Sequence, residues 1–194
     1  RGIRVSTRSV VSVALLLAVT CACVARTSRA GAETCGAAGT MTFICGADAA
    51  EDIVAVPGTH WLVASGLGFG APNSLKRIDS TTGRVEVLYP AGATNRLDER
   101  TYPACPGPPD AATFSTGGLA LRALARNRAL LYAVHSAGRD SIEVFELDAS
   151  SGVPAATWVG CIPMPERTEP NAVTALRDGG VAIASMDDGA RSEE

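Results

Sequence analysis

The chain contains 194 residues, of which 46% are hydrophobic and 19% charged, and its formal net charge is −3. A chain with this high a hydrophobic content and this small a net charge is not expected to be disordered. Its 20 Gly and 11 Pro are dispersed along the sequence, which excludes a coiled coil. Basic residues do not cluster beyond the N-terminus, so nucleic-acid binding is disfavoured. After residue 32 the chain carries 12 basic and 20 acidic residues, a balance that suits hard cations or neutral ligands.

The N-terminal segment has the pattern of a secretory signal peptide. Three early arginines precede an apolar stretch over Val10–Val19, and Ala30-Gly31-Ala32 forms a small-residue cleavage site. The apolar stretch is too short to span a bilayer comfortably, so no transmembrane span is expected after cleavage. We therefore predict a signal peptide over 1–32, a mature domain over 33–194, and a secreted or periplasmic location.

The cysteines fit an exported chain. An even number of cysteines in such a chain predicts disulfides, and four cysteines allow three pairings between which the sequence does not choose. A zinc site is disfavoured because there is no Cys-x-x-Cys spacing and only two histidines, His60 and His135. A lipid anchor on Cys21 or Cys23 is the alternative to a soluble exported form. The four cysteines of the mature segment are Cys35, Cys45, Cys105 and Cys161.

Three segments of the mature chain share one pattern, in which a strand, a tight turn and a second strand follow one another. They begin at Glu51, Gly117 and Asn171, so they are 66 and 54 residues apart. Two of them continue into an Asp-x-x-[Ser/Thr]-Gly sequence, at 79–83 and 148–152. This sequence predicts a hairpin turn in which Asp caps the loop and Gly adopts positive φ.

A repeated unit of four short strands is typical of a β-propeller blade. The repeat spacing exceeds the usual ~40–50 residues per blade, and a proline-rich insert over 91–113, predicted to be irregular, accounts for part of the excess. The segment 119–130 comes closest to a helical pattern, but its apolar spacing fits two strands about Arg126-Asn127-Arg128 equally well. We predict an all-β fold, with 33–194 as about two and a half blades of a longer propeller.

The repeats also resemble a known family. Residues 50–56 with 61–66, then 130–135 with 141–147, then 171–176 are similar, in order, to the first three blades of paraoxonase/arylesterase. They resemble more loosely the senescence-marker-protein/gluconolactonase and strictosidine-synthase-like group. The resemblance implies a six-bladed β-propeller with calcium in its central tunnel, and a small-molecule substrate of the lactone or ester class.

Candidate calcium ligands follow from the repeat positions and the resemblance together. In a propeller the residues that precede the inner strands face one another at the tunnel mouth, and carboxylate and amide oxygens are ligands that Ca²⁺ prefers. The resemblance implies that Glu51, Asp52 and Asn171 bind calcium. The simpler alternative is that the acidic pair lies in a solvated turn and that Asn171 is a turn residue after Pro170.

The catalytic residues are less well defined. The family segment Phe-x-x-His-Gly corresponds to 114–118, where Gly117 stands in place of the proposed general base. A second family histidine matches His135, for which a hydrogen-bonded histidine at the protein surface is the alternative. The turn position of His60 predicts an exposed side chain. Asp187-Asp188 is interpreted as a turn, with a tunnel-facing pair of acids as the alternative.

Two functions remain open from the sequence. The first is an exported calcium-dependent hydrolase of lactones or aryl esters, with Glu51, His135 or a residue outside this sequence as the base. The second is a non-catalytic calcium-binding propeller that serves as a binding or interaction module, and Gly117 favours this version. The sequence does not define the oligomeric state.

Overall fold

The computed structural model describes residues 39–92 and 94–186, which lie within one compact unit. The predicted signal peptide and Asp187-Asp188 fall outside the described residues. The described part of the chain is all-β and contains no helix, and therefore no helix that could cross a membrane. Its strands are β1 (Ile53–Ala55), β2 (Trp61–Ala64), β3 (Leu75–Asp79), β4 (Val85–Tyr89), β5 (Thr94–Asn95), β6 (Thr116–Ala125), β7 (Arg128–His135), β8 (Ser141–Asp148), β9 (Ala155–Pro163), β10 (Pro170–Ala175) and β11 (Val181–Ser185).

The strands form three sheets in chain order. The first is the antiparallel sheet β1-β2-β3-β4, and the second has the order β5-β9-β8-β7-β6. The third consists of β10 paired with β11. The all-β class is therefore confirmed, and so are the three predicted hairpins, β1–β2, β6–β7 and β10–β11.

The two Asp-x-x-[Ser/Thr]-Gly sequences form the predicted turns. Asp79 Oδ1 accepts a hydrogen bond from the backbone N–H of Thr81 at 2.9 Å, and Gly83 has φ +73°. Asp148 accepts in the same way from the backbone two residues further on, at 2.8 Å, and Gly152 has φ +93°. Hydrogen bonds from the side chains of Thr81 and Ser150, and then those from the backbone, hold the pKa of Asp79 and Asp148 below the ordinary value because they stabilise the charged carboxylates.

The segment 119–130 forms strands. β6 runs to Ala125 and β7 begins at Arg128, with the turn made possible by a positive φ of 63° at Asn127. Asparagine tolerates this left-handed conformation better than most residues. Pairing of β7 with β8 stabilises the two-strand conformation of this segment over the helical one.

The insert over 91–113 is more ordered than predicted. Its residues 94 and 95 form β5, which pairs in parallel with β9. A disulfide between Cys105 and Cys161 fastens the same insert to β9 and selects one of the pairings that the sequence left open. Cys45 is also disulfide-bonded. Disulfides are compatible with an oxidising compartment.

The second sheet is buried on both faces. One face packs on the first sheet around Trp61, Tyr89, Phe114, Phe145 and Trp158. The opposite face packs on β10 and β11 through a smaller cluster that includes Tyr132, Val144 and Val173. Strands buried on both faces lose the simple alternation of apolar and polar residues, which explains the near-continuous apolar run in β7.

The ring of Tyr102 from the insert lies directly on Gly160 of β9, where any side chain would overlap it. Gly160→Ala should therefore lower the free energy of unfolding by about 1–3 kcal/mol, the usual range for overpacking. Urea denaturation of the purified chain measures this change. Tyr102→Leu in the Gly160→Ala background should recover part of the loss, whereas an additive double variant would show that the ring does not occupy this space.

The disulfide links positions 56 residues apart. Replacing Cys105 and Cys161 together by Ala should lower the free energy of unfolding by about 2–5 kcal/mol, because the unfolded chain regains loop entropy. Thermal melts with and without reductant provide the check. A double variant as stable as the oxidised wild type would contradict this expectation.

Candidate functional site

The starts of β1, β6 and β10 meet around Gly117. A Cβ atom at position 117 would lie 3.5 Å from Oε2 of Glu51 and 3.7 Å from the main-chain oxygen of Asn171. The structure therefore brings together the three positions that the repeat pattern made equivalent. The absence of a side chain at Gly117 leaves the space between Glu51 and Asn171 open.

The neighbouring Gly118 explains how β6 and β10 approach so closely. A Cβ atom there would lie 2.7 Å from the main-chain oxygen of Asn171 and 2.9 Å from Cα of Ala172. Real side chains do not tolerate such distances, so only glycine permits this approach of two backbones. The Gly-Gly pair thus places the first residues of β10 beside the start of β6.

Asp52 has a structural role that the sequence did not reveal. Its Oδ2 accepts a hydrogen bond from the backbone N–H of Leu119 at 2.8 Å, and its Oδ1 accepts one from Ile53 at 2.8 Å. The backbone N–H of Asp52 in turn donates to Oγ of Ser65 at 2.8 Å. The carboxylate therefore joins the first sheet to the second, and its replacement would weaken the fold whether or not a metal binds.

Glu51 lies in an electrostatically unfavourable position. Desolvation raises the pKa of its carboxyl, and the adjacent negative charge of Asp52 raises it further. Both effects disfavour the ionised form, and a nearby cation would relieve both. The hydrogen bonds of the described residues give Glu51 no cationic partner.

A cleft of about 470 Å³ opens at this point, and Gly117, Asp140, Glu169 and Asn171 contribute to its lining. The donors fit calcium in kind, since they are carboxylate, amide and main-chain oxygens. Within 39–92 and 94–186, no three His, Cys, Asp or Glu side chains are grouped as a metal site. A calcium ion would therefore need main-chain, amide or water oxygens in addition to Glu51, and its presence here stays a prediction.

His135 lies at the end of β7, where it pairs with Thr116, the residue before Gly117. Its residue is only 1% exposed, and its Nδ1 lies 2.8 Å from the carbonyl oxygen of Ser115. A carbonyl only accepts, so Nδ1 carries the proton and Nε2 of the neutral ring is an acceptor. His135 is thus a buried histidine and not a surface one, whereas His60 is exposed as predicted and lies 3.5 Å from Asp79.

A buried acid beside His135 escaped the sequence analysis. Glu143 is 0% exposed, and its Oε1 accepts hydrogen bonds from Ser141 Oγ at 2.6 Å and from Arg139 Nη2 at 2.8 Å. Its Oε2 accepts one from the indole N–H of Trp158 at 2.7 Å. The available signal was an acid between Ile142 and Val144, four residues after an arginine, because a buried carboxylate requires such a partner.

Arg139 carries this buried network to a second cleft. Besides Glu143 it donates to the carbonyl oxygen of Gly107 at 2.9 Å, which holds the insert in place. The cleft has a volume of about 360 Å³ and is lined by His135 and Arg139 together with Pro108, Pro109, Asp110, Thr113, Ala137 and Gly138. His135 and the positions around Gly117 therefore serve two different clefts at the same end of the second sheet.

No protein-family model matches the sequence, and no curated protein matches it significantly. The resemblance to the paraoxonase and gluconolactonase group therefore stays a prediction from the residues. The site must be interpreted from its own chemistry.

Removal of the Glu51 charge tests the electrostatics at the start of β1. A carboxyl whose pKa is raised by folding loses stabilising free energy as the pH rises through the range from about 4.5 upward. In calcium-free buffer Glu51→Gln should therefore match the wild type at pH 4 and melt at a higher temperature at pH 7. Thermal melts at both pH values measure the difference, and a variant less stable at pH 7 would show that the charge is already compensated.

Proposed function

We propose that this chain belongs to an exported, calcium-dependent hydrolase of lactones or aryl esters, built on a six-bladed β-propeller. The observation that carries the proposal is the meeting of Glu51 and Asn171 around Gly117, where three equivalent strand starts bring a carboxylate and a main-chain oxygen together. Gly117 and Asn171 also line the adjoining cleft. Export is supported by the N-terminal sequence pattern and is compatible with the disulfide between Cys105 and Cys161.

The arrangement of the sheets supports the propeller. Two of them contain four consecutive antiparallel strands, and β1, β6 and β10 follow one another as neighbours in space. Successive blades of a propeller have this order, with the first strand of each blade nearest the axis. The third sheet, with two strands in the described residues, corresponds to the first half of a blade.

Glu51 and Asn171 are the residues that would hold the metal. Glu51, although exposed, offers a carboxylate whose ionised form is disfavoured by partial desolvation and by Asp52, and Asn171 adds an amide and a main-chain oxygen. Bound calcium supplies a Lewis acid that stabilises negative charge on a carbonyl oxygen. Asp52 contributes by fixing the start of β1 against β6 through its hydrogen bond to Leu119.

His135 is the candidate base among the described residues. It lines the second cleft and not the one around Gly117, so a substrate would have to reach from the metal position to His135. The Ser115 carbonyl fixes its tautomer, so Nε2 is the ring atom that would accept a proton. Burial beside Phe114 fixes the ring, whose centroid lies 5.6 Å from that of the phenyl group. An ordered ring with a defined acceptor atom is what general-base catalysis requires.

One observation favours the alternative, a non-catalytic calcium-binding propeller that acts as a binding module. Gly117 stands where the family resemblance expects the first histidine, and glycine cannot accept a proton. In that case the metal would stabilise the fold, and the cleft around Gly117 would bind a ligand without chemistry. Calcium binding and hydrolysis must therefore be measured separately.

Calcium binding is tested by thermal melts of the full chain in millimolar CaCl₂ and in EDTA. Ligand binding to the native state stabilises it by about 2.7 kcal/mol at a hundredfold excess over Kd, so Tm should rise by several degrees in calcium. Glu51→Gln and Asn171→Ala should abolish the rise. Asp52→Ala is a poor test because it also breaks the contact with Leu119.

Matched controls are Glu99→Gln and Asn95→Ala, two exposed positions that do not line the cleft, which should keep the full calcium shift. Hydrolysis of γ-butyrolactone and phenyl acetate is then assayed in the same buffers. Calcium-dependent turnover that falls in His135→Asn supports the hydrolase, while a calcium shift without turnover supports the binding module. An unchanged calcium shift in Glu51→Gln and Asn171→Ala would contradict both the hydrolase and the calcium-binding module.

A further inference from the structure

The first sheet exposes apolar side chains on the face turned away from the second sheet. Val54 and Val63 belong to the cluster packed on the second sheet, so the residues that alternate with them point the other way. The strand register places Ile53, Leu62 and Val87 on that outward side. Ile53 is 52% exposed and Val87 is 46% exposed. We call these three residues the first outer face.

The third sheet also has an exposed face without charged residues. Val173 and Ile183 pack on the second sheet, so the residues that alternate with them point outward. These residues are small and exposed, and they border a shallow apolar groove of about 280 Å³. The third outer face consists of Ala172, Thr174, Ala182 and Ala184.

The two outer faces complement each other in size and charge. The first carries large branched side chains and the third carries small ones, the combination that lets facing layers interdigitate. The exposed members of both faces are uncharged. Lys76 shares the side of Ile53, but it is buried and its Nζ donates to Asn73 Oδ1 at 2.8 Å. The second sheet is already covered on both faces, so the open apolar faces lie at the two ends of the row of sheets.

We propose that a second copy of this chain covers both faces at once. The first outer face of each copy packs on the third outer face of the other, around a two-fold axis that runs along the tunnel. The inference rests on the six-bladed propeller proposed above, because the three sheets of one copy supply half of such a ring. A head-to-tail contact of this kind closes when its rotation matches the symmetry, and two copies of three sheets meet that condition.

The pairing also completes the candidate site. One chain brings Glu51 and Asn171 to the tunnel mouth, whereas Ca²⁺ takes ~6–8 oxygen ligands. An axis along the tunnel brings the same two residues of the second copy to the same mouth and doubles the number of protein oxygens there. The packing of the two faces itself needs no metal.

The test is sedimentation equilibrium of the full chain from low to high micromolar concentration, in EDTA and in calcium. The mass of two chains is expected in both buffers, because the contact is apolar. Larger species are not expected, since a closed ring leaves neither outer face free.

Two variants place a charge in the contact, and both change exposed positions so that each chain still folds. Ile53→Arg alters the first outer face and Ala184→Arg the third. Each should weaken the dimer at least about tenfold, because an unpaired charge would be buried in both contacts of the pair. Phe69→Arg and Ala104→Arg are the matched exposed controls outside both faces, and they should dimerise like the wild type.

A mixture of the two variants tests the head-to-tail arrangement. In a mixed pair the unchanged first outer face of Ala184→Arg meets the unchanged third outer face of Ile53→Arg, so one contact is restored. The mixture should therefore associate more tightly than either variant alone. Pairing of two first outer faces would instead spare Ala184→Arg and give no such rescue, which would contradict the proposal.

A wild-type chain that stays monomeric throughout would overturn the proposal and favour closure of the ring by further sheets of a longer polypeptide. Oligomers that keep growing with concentration would contradict a closed ring. The calcium assignment is judged separately. A dimer in EDTA without a calcium shift supports the pairing and removes only the metal, whereas a monomer with the full calcium shift removes only the pairing.

Discussion

The buried carboxylate of Glu143 is the constraint on which much of the structure depends. An ionised acid without partners in a protein interior is strongly unfavourable, so the surrounding chain must supply donors. Arg139, Ser141 and Trp158 do so from the loop before β8, from β8 itself and from β9. Removal of one partner would leave a buried charge uncompensated, and such changes destabilise proteins more than the loss of a surface ion pair.

This network connects the interior to the insert. Arg139 also binds the carbonyl oxygen of Gly107, two residues after Cys105, so an electrostatic and a covalent link fasten the same segment. Burial, and to a smaller extent the charge of Glu143, raise the pKa of Tyr89 to about 12. The surroundings of the network are therefore poorly solvated, and the insert acts as a cover over them.

The strands were predictable from the sequence because their signals are local. Alternation, turn glycines and the capping aspartates Asp79 and Asp148 act within a few residues, and each appears where the pattern placed it. β5 was not predictable, since a two-residue strand has no periodicity and forms only against β9. The choice of disulfide partners also depends on positions that meet only in three dimensions.

In the candidate site, too, some features were predictable from the sequence and others were not. Register alone sufficed to place Glu51, Gly117 and Asn171 near one another, because each begins an equivalent hairpin. The part played by Asp52 as a link to Leu119 could not be foreseen, since the two residues are 67 positions apart in the chain. A short acidic sequence does not distinguish a metal ligand from a structural acceptor.

The separation of β10 and β11 from the second sheet has a consequence for dynamics. Among the described residues β10 pairs only with β11 and is held to β6 and β7 by side-chain packing. Such a hairpin is able to open locally at a free energy below that of global unfolding, and its amides would exchange with solvent sooner than those of β7 and β8. Because Asn171 lies on this hairpin, any ligand shared by Asn171 and Glu51 would suppress the opening and slow the exchange.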